Sequence, residues 1–293
     1  MRLPVRQTEG DPAANTAPMN DENVLFIEAG KAERHYWADL WRYRELFYFL
    51  AWRDFLVRYK QTVLGIAWAV LRPLLVMLVF TLVFGKLAMF PSEGVPYPIL
   101  VFAALLPWQL FATAFAESGS SLVSNASLIS KVYFPRLVIP VSGILVSLVD
   151  FVISVAILAA LMAWYGFAPG WQVLTLPLFT LLALAAALSA GIWTAALNVK
   201  YRDVRFIIPF VVQMGLYISP VGFSSSVVPD NWRLAYALNP MVGVIDGFRW
   251  AVSGGTTSMY VPGLVMSIAL TGLMLFAGTR YFRRTEKTFA DII

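Results

Sequence analysis

The stretch from Arg53 to Gly85 constrains the fold of this chain more than any other part. Its apolar portion, Thr62 to Phe84, is long enough to cross the roughly 30 Å hydrocarbon core of a bilayer as a helix. An arginine and a proline, Arg72 and Pro73, lie in the middle of that run. No loop signal separates the run from the charged and aromatic residues before it. We therefore expect a segment on the membrane surface to bend into a spanning helix.

The composition extends this expectation to the whole chain. Of its 293 residues, 59% are hydrophobic and 13% are charged, whereas a soluble domain carries about 25% charged residues. With several apolar runs of membrane length, this predicts an all-α polytopic membrane protein. The chain has no cysteine, and its single histidine, His35, lies outside the apolar runs. Thiolate sites and multi-histidine metal sites are therefore excluded.

The apolar runs predict a domain of six transmembrane helices over residues 62–281, followed by a cytoplasmic tail, 282–293. The expected spans lie at about 62–84, 99–116, 137–164, 173–199, 206–221 and 263–281. Basic residues then concentrate in the inside loops and tail, which predicts that both termini are cytoplasmic. These residues are Lys131, Arg136, Lys200, Arg202, Arg205, Arg280, Arg283, Arg284 and Lys287. The net charge of +5 thus indicates orientation rather than nucleic-acid binding. No signal peptide is visible.

The residues before the first span divide into two parts. We expect residues 1–38 to be a flexible cytoplasmic tail, in which 24–27 forms either a short strand or an apolar patch. Residues 39–61 contain no Gly or Pro and predict an amphipathic helix at the membrane interface. One stripe at helical spacing holds Phe49, Trp52, Leu56 and Tyr59. Asp54 and Arg58 are spaced to pair on the opposite face. An ordinary juxtamembrane helix with positive-inside charges is the alternative.

Two segments between spans look specialised. The inside segment 117–136 is polar and serine-rich, and its second half places apolar residues beside charges, which favours docking into a groove on a partner. The relevant residues are Leu128, Ile129, Lys131, Val132, Tyr133, Phe134 and Arg136. A loop lying on lipid headgroups is the alternative. The outside segment 224–255 holds two short apolar pieces separated by Asn239 and Pro240. These predict two re-entrant outer helices beside a pathway, or else an amphipathic surface loop.

Several sequence motifs occur in a fixed order along almost all of the chain after Asp39. They are LWRYREL with RDFLVRYKQTVLGIAWAVLRPLL, LLPWQLF, SLISKVYFPRLVIPV, NVKYRDVRF, LNPM and FRRTEKTFADII. In these motifs the chain resembles the permease subunits of type-2 ABC exporters that move polysaccharides, as in O-antigen, capsule and teichoic-acid export. The first 38 residues lie outside the resemblance. The order of the motifs and the fit of the topology make the resemblance specific.

The resemblance implies a homodimer in the bacterial inner membrane, joined by a pair of ABC ATPase subunits that hold the ATP and Mg. By the same resemblance, we expect a glycan, usually linked to an undecaprenyl-type lipid, to pass between the permeases beside their first and fifth helices. The resemblance places the ATPase contacts in Tyr43–Lys60 and about Ser121–Arg136, which contain Arg53, Arg58 and Asn125. It also implies that the two short outer helices flank the exit.

The residues agree that energy comes from elsewhere. Gly30-Lys31 and Gly85-Lys86 lack both the correctly spaced upstream glycine and the following hydroxyl residue of a phosphate-binding loop. The chain therefore does not bind ATP through such a loop, and its energy comes from a partner, from an ion gradient or from no source at all. The resemblance implies the partner, and with it no cofactor on this chain and no enzymatic activity of its own.

Aromatic rings near the outer half of the helices are candidates for stacking on sugars along the pathway. They are Phe80, Phe84, Trp108, Phe111, Tyr217, Phe223 and Trp232. The alternative for each is a membrane belt or packing residue, because Trp and Tyr are enriched at membrane interfaces in any case.

Charged residues within the membrane are expensive and therefore informative. Arg72 either faces the pathway and contacts a substrate phosphate, or it and Asp150 form structural pairs, separately or together. Asp246 and Arg249 have the i,i+3 spacing of a local pair.

Two other functions remain open from the sequence. One is a type-2 permease for a drug or a small lipid, although the LNPM motif and the FRRTEKTFAD tail favour a glycan. The other is an intramembrane polyprenyl-phosphate transferase. Such an enzyme needs clustered acids for a metal ion, whereas the acids within or near the spans are scattered: Glu117, Asp150, Asp203 and Asp246.

Overall fold

The structure is a computed structural model that describes residues 36–60, 65–132 and 134–289, and every regular element in those ranges is helical. Its α-helices are α1 Tyr36–Arg42, α2 Arg44–Tyr59, α3 Gly65–Phe80, α4 Tyr97–Ser124, α5 Ala126–Ile129, α6 Val138–Trp164, α7 Leu176–Lys200, α8 Val204–Ile218, α9 Asp230–Tyr236, α10 Pro240–Val252 and α11 Val261–Thr285. A π-helical turn, Thr81–Leu87, continues α3, and a 3₁₀ turn, Trp171–Thr175, precedes α7. The expected residue 24–27 element and the tail before Tyr36 lie outside the described residues.

The prediction of an all-α membrane protein is confirmed. Among the described residues, five helical stretches are long and apolar enough to span a membrane: Ala67–Leu87, Tyr97–Ser124, Val138–Trp164, Trp171–Lys200 and Val261–Thr288. The expected fifth span corresponds to α8, which has only 15 residues, against about 20 for a full crossing. α8 ends three residues before the expected Val221 because Ser219, which precedes Pro220, adopts extended backbone. The count of six full spans is therefore approximate.

Helix α4 is the centre of the bundle. Most of its side chains are buried, and it packs against α3, α6, α7, α8 and α10. Its contact with α7 depends on small residues: a β-carbon on Gly191 would lie 2.4 Å from the Ser118 hydroxyl oxygen. Close approach of this kind is how helices associate in a membrane, where burial of apolar surface gives little driving force.

The predicted loop over residues 117–136 is mostly helical. α4 continues through the serine-rich sequence to Ser124, and α5 follows directly. The hydroxyls of Ser120, Ser121 and Ser124 each donate to a carbonyl three or four residues back, at 2.7, 2.6 and 3.1 Å. The serine hydroxyls thus find hydrogen-bond acceptors within their own helix. The polar composition of this stretch therefore does not end α4.

The predicted helix over residues 39–61 begins earlier, at Tyr36, and is divided at Tyr43 into α1 and α2. The expected stripe is not the buried face, since Phe49 and Trp52 are exposed whereas Leu50 is buried. The expected Asp54–Arg58 pair does not form, because Asp54 is paired with Arg53 at 2.7 Å and Arg58 finds other acids.

The described residues pack into two apolar cores. The larger lies between α4, α6, α7 and α10. The smaller joins α1 and α2 to α5, to the last turns of α4, α7 and α11, and to Phe289. We call the end of the bundle that contains the smaller core the terminal end, and the opposite end the distal end.

The two short helices expected in residues 224–255 are present as α9 and α10, but they differ in environment. α9 exposes Trp232 and Leu234. α10 is buried among α4, α7 and α11. The surface-loop alternative is therefore wrong for α10, which forms part of the core at the distal end.

Candidate transport cavity

A cavity of about 620 Å³ lies between α3 and α8, with α4 and α6 behind it and the end of α2 at its side. A volume of this size is typical of ligand sites. Its wall mixes apolar residues with charged, amide and aromatic ones: Arg58, Tyr59, Trp68, Arg72, Trp108, Gln109, Asp150 and Gln213. The first and fifth expected spans thus border one cavity within a single chain.

Arg72 is exposed on this wall. No hydrogen bond or ion pair joins it to any residue that the structure describes. Arg72 and Asp150 are therefore not paired with each other. Of the structural pairs that the sequence left open, Asp150 forms one separately, with Arg58. A cation in a membrane-length helix without a protein counter-ion is the kind of residue that marks a substrate path.

Asp150 is held by the end of α2. Arg58 pairs with its carboxylate at 2.8 Å, and the Tyr59 hydroxyl donates a hydrogen bond to the other oxygen. Burial, and then the bond to Asp150, raises the pKa of the Tyr59 phenol, so this hydroxyl remains a donor. Arg58 also approaches Glu117 of α4 at 3.4 Å. We call these four residues the Arg58 cluster.

The cluster shows how α2 lies in the fold. Arg53 donates to Asn125 at the end of α4, at 2.7 Å, while Arg58 reaches Glu117, eight residues earlier in α4. The body of α2 packs against α6, and only the long side chains of Arg53 and Arg58 reach across to α4, at two points about 12 Å apart along that helix. The predicted coupling residues Arg53 and Asn125 thus contact each other, and Arg58 points towards the cavity.

The predicted pathway aromatics are distributed over three places. Of the seven, Trp108 lies on the cavity wall, where a β-carbon on Gly215 would come within 2.5 Å of its ring. Phe111 is buried beside Trp108 at 5.4 Å between ring centroids. Phe80, Phe84 and Phe223 form a cluster through Phe90 at the distal end, with neighbouring centroids 5.3, 6.0 and 6.3 Å apart. Tyr217 and Trp232 are exposed and do not line this cavity.

The predicted coupling residues of 125–136 divide by burial. Ile129 and Phe134 belong to the smaller core and offer no surface to a partner, and Leu128 is half-buried. Lys131 is exposed, as is its neighbour Val132. Tyr133 lies outside the described residues.

Arg136 ties this segment to the end of the chain. Its backbone N–H donates to the Glu286 carboxylate at 2.7 Å, and its guanidinium donates to the Glu286 carbonyl. The Tyr36 hydroxyl donates to the same carboxylate at 3.1 Å. The terminal end is therefore one connected unit of α1, the 125–136 segment and the end of α11.

The predicted exit residues have structural partners. Asn239 caps α10 by accepting from the Met241 N–H at 3.0 Å, and its amide donates to Ser219 at 2.8 Å. Pro240 occupies the first turn of α10, where its missing N–H costs nothing.

The predicted Asp246–Arg249 pair is wrong, because no salt bridge joins these two described residues. Arg249 donates to the carbonyls of Leu100, Val221 and Phe223, at 3.3, 2.9 and 2.6 Å. Asp246 accepts from Ser225 at 2.6 Å. Both side chains are buried. Asp246 finds its partner on the segment that follows α8, and Arg249 finds its acceptors on that segment and on α4, so both are hydrogen-bonded.

Three cavity residues are not singled out by the sequence pattern: Tyr59 as a cavity residue, Gln109 and Gln213. The two glutamines carried a usable signal, since an amide inside an apolar span is costly without a role. Tyr59 carried none, because its place depends on how α2 packs against α6.

Membrane-length helices around a cavity, with a cation that has no partner among the described residues, are the arrangement expected of the membrane subunit of a transporter. The chain belongs to the ABC-2 type transporter family, whose profile matches residues 45–253. It is a transport permease subunit and not an enzyme.

Three relatives cover most of the chain. An O-antigen export system permease protein RfbA from Myxococcus xanthus is 30% identical over 258 residues, which are 87% of this chain and 98% of that protein. An RfbA of the same description from Klebsiella pneumoniae is 27% identical, over 82% of this chain and 92% of its own. The polysialic acid transport protein KpsM of Escherichia coli is 25% identical, over 80% and 91%.

Proposed function

We propose that this chain is the permease subunit of an ABC exporter that moves a lipid-linked polysaccharide across the bacterial inner membrane. The observation that carries the proposal is the match to an O-antigen export permease over 98% of that protein's length. ATP is hydrolysed by a separate partner subunit, which holds the ATP and Mg. The transferase alternative is not retained, because the family consists of transport permeases.

The assembly we propose is a homodimer with a pair of ATPase subunits. Two exposed apolar faces support it, one on α3 and one on α8, on either side of the cavity. A second copy that covers both faces closes the cavity into a channel between the subunits. The terminal end faces the cytoplasm in this arrangement, which agrees with the basic residues of the inside loops.

Within this assembly, Arg72 contacts the phosphate of the lipid carrier as it enters. Two observations support the role: Arg72 lies on the cavity wall, and it has no counter-ion among the described residues. A guanidinium binds a phosphate through two parallel hydrogen bonds, which lysine does not reproduce.

Replacement of Arg72 by lysine tests the role. Loss of a charge-assisted hydrogen bond costs about 1.5–3 kcal/mol, so we expect export to fall roughly ten- to hundredfold while assembly with the ATPase survives. Export is measured as surface glycan, and assembly by co-purification. Arg280→Lys is the matched control, since Arg280 is exposed on α11 away from the cavity. Unchanged glycan export in Arg72→Lys contradicts the role.

A knockout tests the cargo itself. Deletion of the chain is expected to remove a surface polysaccharide and to leave lipid-linked glycan inside the cell. An intact surface glycan with increased sensitivity to a drug instead supports the alternative, a type-2 permease for a small molecule.

A further inference from the structure

The Arg58 cluster places an ion pair on the wall of the cavity, where the proposed cargo passes. Arg58 faces two acids, Asp150 at 2.8 Å and Glu117 at 3.4 Å. Arg72, on the same wall, has no acid among the described residues. Of these two arginines on the cavity wall, Arg58 is paired with acids, whereas Arg72 has none in the described ranges.

The contact with Asp150 adds to the packing of α2 against α6 and is weak enough to exchange. The Arg58 and Asp150 side chains are 35% and 25% exposed, and partly exposed ion pairs contribute about 0–1 kcal/mol. The diphosphate linker of a lipid-linked glycan carries more negative charge in total than one carboxylate and offers more acceptor oxygens. A phosphate held beside Arg72 therefore competes effectively with Asp150 for Arg58.

Helix α2 connects this contact to the terminal end. Tyr59, which also binds Asp150, is its last residue. About one and a half turns earlier, Arg53 binds Asn125 at the junction of α4 and α5. A change at Arg58 is thus carried by one short rigid helix to the segment that we propose contacts the ATPase.

We propose that the contact of Arg58 and Tyr59 with Asp150 is a latch that the phosphate group of the cargo lipid releases. With the latch closed, as the structure shows it, Asp150 binds Arg58 and Tyr59 at the end of α2. A phosphate bound at Arg72 takes Arg58 from Asp150, α2 moves away from α6, and the ATPase senses the loaded cavity. This inference rests on the proposed function, because that function supplies the phosphate.

Spin labels measure the movement directly. The chain has no cysteine, so Val57→Cys on α2 and Val152→Cys on α6, both exposed, can be labelled in the complete complex in lipid nanodiscs. Addition of a polyprenyl diphosphate without glycan is expected to lengthen or broaden the distance between these labels. The control pair Val152→Cys and Leu178→Cys reports on α6 and α7 and is expected to stay constant. An unchanged distance from Val57 to Val152 overturns the latch.

ATP hydrolysis by the same complex gives a second readout. Asp150→Asn opens the latch without cargo. We therefore expect the basal rate of ATP hydrolysis to rise roughly two- to fivefold, as loss of a partly exposed ion pair implies. Polyprenyl diphosphate is expected to stimulate ATP hydrolysis by this variant no further. Tyr59→Phe removes one hydrogen bond and no charge, and is expected to shift the basal rate the same way by a smaller factor. It keeps the test decisive if Asp150→Asn fails to assemble. Asp230→Asn breaks an exposed ion pair on α9 and is expected to change nothing.

The latch and the proposed function fail differently. The latch is overturned if Asp150→Asn and Tyr59→Phe both hydrolyse ATP at the wild-type basal rate and are still fully stimulated by the lipid. The proposed function stands in that case as long as surface glycan still depends on the chain. Surface glycan that persists after deletion of the chain overturns the proposed function itself. Inorganic pyrophosphate, tested in parallel, is expected to stimulate less than the lipid, and equal stimulation overturns the assignment of the lipid as the releasing ligand.

Discussion

Arg249 and Arg72 are both cations in apolar surroundings, and their neighbours give them opposite roles. Arg249 is 2% exposed and donates to three backbone carbonyls, so its hydrogen-bonding capacity is used inside the chain. Arg72 is exposed on the cavity wall and has no partner within the part of the chain that the structure describes. The first arrangement stabilises the fold, and the second leaves a guanidinium available to a ligand.

We expect Arg249→Met to destabilise the chain by about 3 kcal/mol, because three carbonyls at the distal end lose a charged donor. The measurement is the thermal unfolding midpoint of the purified protein in detergent. Arg284→Met is the control, since Arg284 is exposed on α11 and is expected to leave the midpoint unchanged. Equal midpoints for both variants would show that the three carbonyls do not depend on Arg249.

Between elements, the contact of α4 with α7 depends on the absence of a side chain. A β-carbon at Gly191 meets the hydroxyl and β-carbon of Ser118 at 2.4 and 2.5 Å, so one helix has to move. Gly272 of α11 has nothing within 4 Å of the same position. The two glycines look alike in the sequence and differ only in what stands opposite.

Gly191→Ala is therefore expected to destabilise the protein by about 1–3 kcal/mol, the usual cost of overpacking. Gly272→Ala is the matched change at a site with open space and is expected to be neutral or slightly stabilising. Thermal unfolding of the two variants side by side tests this. A midpoint for Gly191→Ala at or above that of Gly272→Ala contradicts the packing argument.

At the scale of the whole molecule, the smaller core makes the terminal end one unit. Ile129 is buried in it, while Val132, three residues later, is 52% exposed. Arg136, at the end of the 125–136 segment, and Tyr36, at the start of α1, both bind Glu286. Glu286 therefore joins that segment to α1. An exposed, firmly held surface at this end is suited to transmit force from an ATPase.

Val132→Asp and Ile129→Asp are expected to separate docking from folding. An exposed substitution changes stability by about 0.5 kcal/mol or less, so Val132→Asp should lower co-purification with the ATPase while the chain accumulates normally. Ile129→Asp buries an unpaired acid and should reduce accumulation of the chain itself. Normal ATPase binding by Val132→Asp would exclude this surface from the contact.

Apolar periodicity and length identified the spanning helices, because the bilayer allows only a run of about 20 apolar residues in helical form. The same reasoning located the two short helices before α11. It misjudged the serine-rich end of α4, where hydroxyls bond within the helix. It also overestimated α8, where Ser219-Pro220 ends the helix early.

Within the candidate site, the sequence by itself identified Arg72 and Trp108, because a cation inside a span and a large aromatic ring are unusual enough to be noticed singly. Only the tertiary structure decided the partners. Arg58 binds Asp150 rather than Asp54, and Arg249 binds carbonyls rather than Asp246. Residue spacing describes neighbours on one helix, whereas a buried or half-buried charge takes whichever acceptor the packing of other helices brings to it.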